Sequence, residues 1–148
     1  WFDKAYAFAT LNYLNYPNSE QAKAQWEQCR WNTKKNLSTL YPAKKVKDIC
    51  NIVKKDFKNK EPEYNISEDA INAFGYEIMG NNKLDDALLV FKLNIECYPN
   101  SYNVYDSYGE CLMALGKEKE GLEAYQKSLD LNPNNTNAKK ILEKYNKP

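Results

Sequence analysis

The sequence predicts an all-α fold, a solenoid of stacked helical hairpins (an α-α superhelix) closed by a C-terminal capping helix, and three observations point there. A pattern of residue types returns every 34 positions, apolar residues within it recur at three- and four-residue spacing, and Gly, Asn and Pro punctuate it at fixed offsets. Ser67, Ile71, Gly75, Ile78, Phe91, Asn94 and Pro99 come back as Ser101, Tyr105, Gly109, Leu112, Tyr125, Ser128 and Pro133, and Ser101 returns once more as Asn135. A unit of this kind does not bury its own apolar face, so neighbouring units stack to complete a core.

Residues 1–19 read as the second helix of a hairpin whose first helix is missing. Tyr16-Pro17-Asn18-Ser19 is identical to Tyr98-Pro99-Asn100-Ser101, 82 positions on, and Asp3, Ala5, Leu11 and Asn12 match Asp85, Ala87, Leu93 and Asn94. On that reading the chain is cut from a longer one. Phe2, Phe8 and Leu11 then form an exposed apolar patch, to be covered by an upstream segment or by a second copy in a dimer. The offset of 82 is two periods of 34 plus 14 residues, so residues 20–66 read as one divergent hairpin with an insertion. Ala22, Trp26, Cys29, Thr33 and Leu37 lie along one helical face, with a break at Asn32 left open. Pro42 stands at a predicted helix start; Val46, Ile49, Cys50, Val53 and Phe57 make an apolar stripe opposite a lysine-rich face; residues 58–65 are a loop.

Residues 67–100 and 101–134 are the two regular units, and 135–148 hold the capping helix, Asn137 to Tyr145. Ser67, Ser101 and Asn135 are N-cap types able to satisfy the orphan amides of a helix start. Ile71, Phe74 and Ile78, then Tyr105, Tyr108 and Leu112, give each first helix an apolar stripe. Gly75 and Gly109 interrupt that stripe, where glycine costs about 1 kcal/mol relative to alanine, so close approach of the neighbouring helix backbone is expected. Gly80-Asn81-Asn82 and Gly116-Lys117 end the first helices, the second helices run over 84–98 and 118–131, and Pro99 and Pro133 stop them.

This spacing resembles the tetratricopeptide repeat, with small residues at the helix crossing (Gly75, Gly109, Ala87), an aromatic in the second helix (Phe91, Tyr125) and a terminal proline (Pro99, Pro133). It departs from that family at Gly121, where alanine is preferred, and at Asn94, where a small apolar residue is usual. A longer phrase, Asn72-Ala73-Phe74-Gly75-Tyr76, Phe91-Lys92-Leu93-Asn94, Tyr98-Pro99-Asn100-Ser101 and Asn103-Val104-Tyr105-Asp106-Ser107-Tyr108-Gly109-Glu110, is similar to the C-terminal repeat tail of bacterial serine-hydrolase-like proteins. Those proteins are esterase-like or beta-lactamase-like and common in Bacteroidetes. The resemblance covers about residues 66 to 135 and implies an accessory role beside a catalytic domain, outside the cytoplasm; no catalytic residue of that family carries over.

Composition narrows the function classes. With 21 basic and 20 acidic residues the net charge is +1, which offers no single-sign field for nucleic acid. No stretch approaches the roughly 20 apolar residues of a membrane span, and no secretory signal opens the chain. Histidine is absent and Arg30 is the single arginine, so general-base and oxyanion chemistry lack their usual carriers. Cys29, Cys50, Cys97 and Cys111 are too widely spaced for a zinc site; they read as small buried hydrophobes, with two disulfides open if the protein is exported. No cofactor, metal or catalytic residue is expected.

The candidate binding surface is the free stripe of the first helices, which face the concave side of such a solenoid. Asn72, Tyr76 and Met79 have counterparts 34 positions on in Asp106, Glu110 and Met113, and Asn103 joins them. Amides, carboxylates, an aromatic and two adaptable methionines suit an extended peptide or a neighbouring protein domain. Asp106 and Glu110 share one helix face, but no cleft or opposing group makes them a glycosidase-like pair, and Ser107 beside them has no base. The sequence therefore predicts a non-catalytic interaction or scaffolding module, either the accessory tail of a larger hydrolase or a free-standing adapter.

Overall fold

Turn and cap residues set the helix limits in the computed structural model, which describes residues 2–32 and 34–145, with side chains from Ala7 onward. Thr33 and the side chain of Phe2 lie outside the described residues, as do 146–148 of the capping segment. Among the described residues there are eight α-helices and no strand: α1 (Phe2–Asn15), α2 (Glu20–Asn32), α3 (Val46–Asp56), α4 (Glu68–Gly80), α5 (Leu84–Cys97), α6 (Tyr102–Ala114), α7 (Glu118–Leu131) and α8 (Thr136–Tyr145), with a 3-10 turn at Leu37–Thr39. The fold is all-α and built of helical hairpins.

The 34-residue register is visible in the hydrogen bonds. Asn82 and Gly116, one period apart, are both left-handed, with φ of 59° and 73°. Each is followed by a lysine whose amide reaches five residues back, Lys83 to the Ile78 carbonyl (3.3 Å) and Lys117 to the Leu112 carbonyl (2.9 Å), which closes α4 and α6 in the same way. The prolines act alike: Ser19, Ser101 and Asn135 donate to the carbonyls of Tyr16, Tyr98 and Asn132 across three equivalent turns. Ser67 caps α4 by accepting from the Ala70 amide, and Ser19 accepts from the Ala22 amide at the start of α2.

The core runs from the 3-10 turn through α3, α4 and α5 to α6, and holds Leu37, Ile49, Val53, Ile66, Ile71, Phe74, Ile78, Val90, Phe91 and Cys111. A methyl added at Gly75 would lie 2.6 Å from the Phe91 ring, and one at Gly109 would lie 3.2 Å from the Gly121 carbonyl. Glycine thus makes room for the Phe91 ring in one unit and, in the next, for both the Gly121 carbonyl and the Tyr125 ring, which is also 3.2 Å away. Gly121 in turn faces Met113, whose Sδ would be 2.6 Å from an added methyl.

Asn94 is fully buried and donates to the Glu68 carbonyl at 3.1 Å, and Ser128, one period on, donates to the Tyr102 carbonyl at 2.8 Å. The polar residue at this position braces the second helix of each unit to the start of the first. Ser128 is thereby satisfied, whereas Asn94 uses its side-chain nitrogen and leaves its buried side-chain oxygen without a hydrogen-bond partner among the described residues.

Several expectations are corrected. Residues 20–66 do not fold as one hairpin: α2 packs on α1, while α3 packs on α5 and is tied to it by Lys54 and Glu96 at 2.6 Å. The helix starting at Glu20 ends at Asn32, and Leu37 belongs to the separate 3-10 turn. Pro42 lies in a turn, and α3 begins only at Val46 with Lys45 as its N-cap, because the chain must turn between Leu37 and Lys44 to bring α3 onto α5. Phe57 is 42 % exposed rather than core, since it follows the last residue of α3 and meets Tyr98 edge-on. On α6 the buried residues are Val104, Ser107, Gly109, Cys111 and Leu112, with Tyr105 and Tyr108 half-buried along the seam between α5 and α7. Ser101 stands at the N-cap of α6 as expected but places no side-chain bond on its amides, because its hydroxyl donates to Glu68 instead.

Candidate functional site

The α4–α6 face carries the seven residues singled out by sequence, and most are spent on each other. Equivalent positions of successive hairpins lie side by side, so residues about 34 apart become neighbours. The Tyr76 hydroxyl donates to Glu110 at 2.7 Å, and its ring meets Phe91 edge-on at 5.1 Å. Burial raises the Tyr76 phenol above its usual range and the Glu110 carboxylate raises it further. Asn103 donates to Glu68 Oε1 at 3.1 Å, and the Ser101 hydroxyl reaches the same oxygen at 2.9 Å. Asp106 accepts from Asn135 at 2.6 Å and from Asn137 at 2.7 Å.

Asn135 is the most heavily used residue of this ladder. Its side-chain nitrogen donates to Asp106 and Ser128, and its side-chain oxygen Oδ1 accepts from the backbone amides of Asn137 and Ala138 at the start of α8. Met79 and Met113 are half-buried packing residues. Asn72 differs: its side-chain oxygen is buried with no hydrogen-bond partner among the described residues. Ser107 is 2 % exposed, so its hydroxyl does not face solvent, and the Asp106 and Glu110 carboxylates are held by amides and a phenol.

A groove that sequence reasoning missed lies on the other side of α4. Two adjoining depressions of about 580 and 280 Å³ share Trp31, Asn36, Asn65 and Ala70, and Glu27, Asp69 and Glu77 border them. The loop that forms its floor is pinned by the parallel bridge of Lys35 with Tyr64, in which the Lys35 amide donates to Glu63 and the Asn65 amide donates to Lys35. Ion pairs Lys34–Glu61 (3.0 Å) and Lys35–Glu63 (2.7 Å) flank it. The bridge brings together residues 29 apart with no shared period, so no local pattern announced it. An indole beside amides and carboxylates suits an extended segment that donates hydrogen bonds or carries positive charge.

Among the described residues no group of three or more His, Cys, Asp or Glu is placed to hold a metal ion. All four cysteines are unbridged, and burial pushes the thiols of Cys50, Cys97 and Cys111 up to about 11, which keeps them protonated and unreactive at neutral pH. No described helix is long and apolar enough to cross a membrane. No family model and no curated protein matches this chain.

Proposed function

We propose that this chain is a non-catalytic protein-interaction module of the tetratricopeptide type. The observation that carries the reading is the recurrence of whole interactions, and not only of residue types, at the 34-residue register: left-handed Asn82 and Gly116, and the braces from Asn94 and Ser128. Repeats that stack in this way present a continuous surface along their first helices, and a peptide or a neighbouring domain is its ordinary occupant. Because Tyr76, Asp106 and Glu110 are engaged in the inter-repeat ladder, the groove between α2 and α4 is the better-placed receptor for a basic extended peptide, with Glu27 and Asp69 as exposed selectors.

Screening a peptide array with the chain and with Glu27→Lys/Asp69→Lys tests this. The expected result is capture of lysine- or arginine-bearing peptides that falls at least about tenfold in the variant at unchanged helicity. Equal capture by both proteins removes the reading.

The likeness to the tails of serine-hydrolase-like proteins supports placing the module beside a catalytic domain outside the cytoplasm. The exposed Phe8, Leu11 and Leu14 of α1 support an upstream segment or a second copy packing there. An antibody to this chain decides between accessory tail and free-standing adapter: a native species far heavier than 17.2 kDa fits the first, and one at that mass fits the second.

A further inference from the structure

We infer that the depression between the amino ends of α3 and α5 binds a phosphate-bearing ligand. Charge is strongly segregated in this chain: residues 43–60 hold seven lysines against Asp48 and Asp56, while the whole chain carries a net +1. Folding concentrates that segment further. Lys44, Lys45 and Lys47, from the approach to and first turn of α3, line one open depression of about 710 Å³ together with Lys83, which precedes α5. Tyr41 forms part of the wall, with the Lys83 ammonium 5.3 Å from its ring centroid, and Asp86 is the single carboxylate on the lining.

None of these four lysines forms an ion pair with a described carboxylate, whereas Lys34, Lys35 and Lys54 elsewhere each do. Four lysines lining one space, offset by one carboxylate, raise the local positive potential, and a compact dianion relieves their mutual repulsion. Lys45 and Lys83 are also the N-cap residues of α3 and α5, and neither places a side-chain acceptor on the first-turn amides. The lysines supply charge, and the depression lies beside two helix amino ends, whose dipoles also favour an anion. The volume exceeds that of a phosphate alone and falls within the usual range for small-molecule sites, so an organic phosphate monoester fits. The monoester is either free in solution or the headgroup of a lipid.

The experiment titrates the full chain at low ionic strength with phenyl phosphate, and separately with phosphatidylcholine vesicles with and without phosphatidic acid. Saturable binding is expected that weakens about tenfold or more in Lys44→Gln/Lys83→Gln. It is expected to persist in Lys55→Gln/Lys58→Gln, which removes the same charge from α3 and its end outside the depression, and to tighten in Asp86→Asn. Phenyl phosphate binding with this variant pattern supports the site with a soluble ligand; binding only to phosphatidic acid vesicles, with the same pattern, supports it with a lipid headgroup. Equal weakening in both lysine variants marks diffuse charge and overturns the proposal, as does the absence of binding in both arms.

Discussion

Gly75 and Gly121 occupy comparable helix crossings, yet what faces them differs. At Gly75 an added methyl meets the Phe91 ring, which is wedged in the core, whereas at Gly121 it meets the end of the flexible Met113 side chain. Gly75→Ala is therefore expected to destabilise by about 1–3 kcal/mol through overpacking, while Gly121→Ala stays within about 1 kcal/mol of the parent, as Met113 swings aside and alanine favours helix. Urea denaturation of the two variants measures the difference. Asn94→Ala is expected to be destabilising by about 1–3 kcal/mol, since it removes the buried brace to the Glu68 carbonyl and opens a void. Asn94→Ser, which copies the residue one period on, is expected to recover part of that loss. The residue types at 75, 94 and 109 were legible as departures from a plain apolar stripe, but what each contacts depended on a helix elsewhere in the chain.

Between elements, the periodic part was readable because its signals are local: an N-cap, a left-handed residue and a proline set the limits of α4 to α8 whatever surrounds them. The region from 20 to 66 was not readable in the same way. There α3 chooses α5 over its sequence neighbour α2, and the turn from Leu37 to Lys44 that permits this has no periodic counterpart. The candidate face was legible as a set of positions but not as a state. The spacing of Tyr76 and Glu110 already implied adjacency, and only their pairing shows that the face is knit together rather than open. That ladder ends on Asn135, which ties α8 to α6 and α7. Asn135→Ala is expected to unlatch α8, seen as faster amide exchange in α8 with α4 and α5 unchanged. Tyr76→Phe is expected to change stability by less than about 1 kcal/mol, because Tyr76 is 36 % exposed and water replaces the lost partner.

Across the molecule, cohesion is uneven. The buried core cluster begins at Leu37, and among the described side chains of α1 and α2 only Ala9 and Ala22 are buried, with Tyr13 stacked on Trp26 at 5.2 Å. Amides of α1 and α2 are expected to exchange sooner than those of α4 to α7, and an exchange profile of uniform protection contradicts this. Stability also has an alkaline limit. Cys50, Cys97 and Cys111 sit at about 11 against an ordinary 9.0, so between those values the unfolded chain sheds protons that the folded chain keeps. Their contribution is complete below pH 9 and is lost as pH rises through 11. The urea midpoint is expected to fall across that window, less steeply in Cys111→Ala. The bridge of Lys35 with Tyr64 has a consequence of another kind. The chain closes on itself at that bridge, so the stretch between is a bounded cassette: its exposed turns can lengthen or shrink over evolutionary time without shifting the register of the residues after it, while Leu37, Ile49 and Val53, which enter the core, hold its inner face fixed. Three of the four lysines around the phosphate-sized depression travel inside that cassette, and descendants of a common ancestor are expected to keep or lose them together.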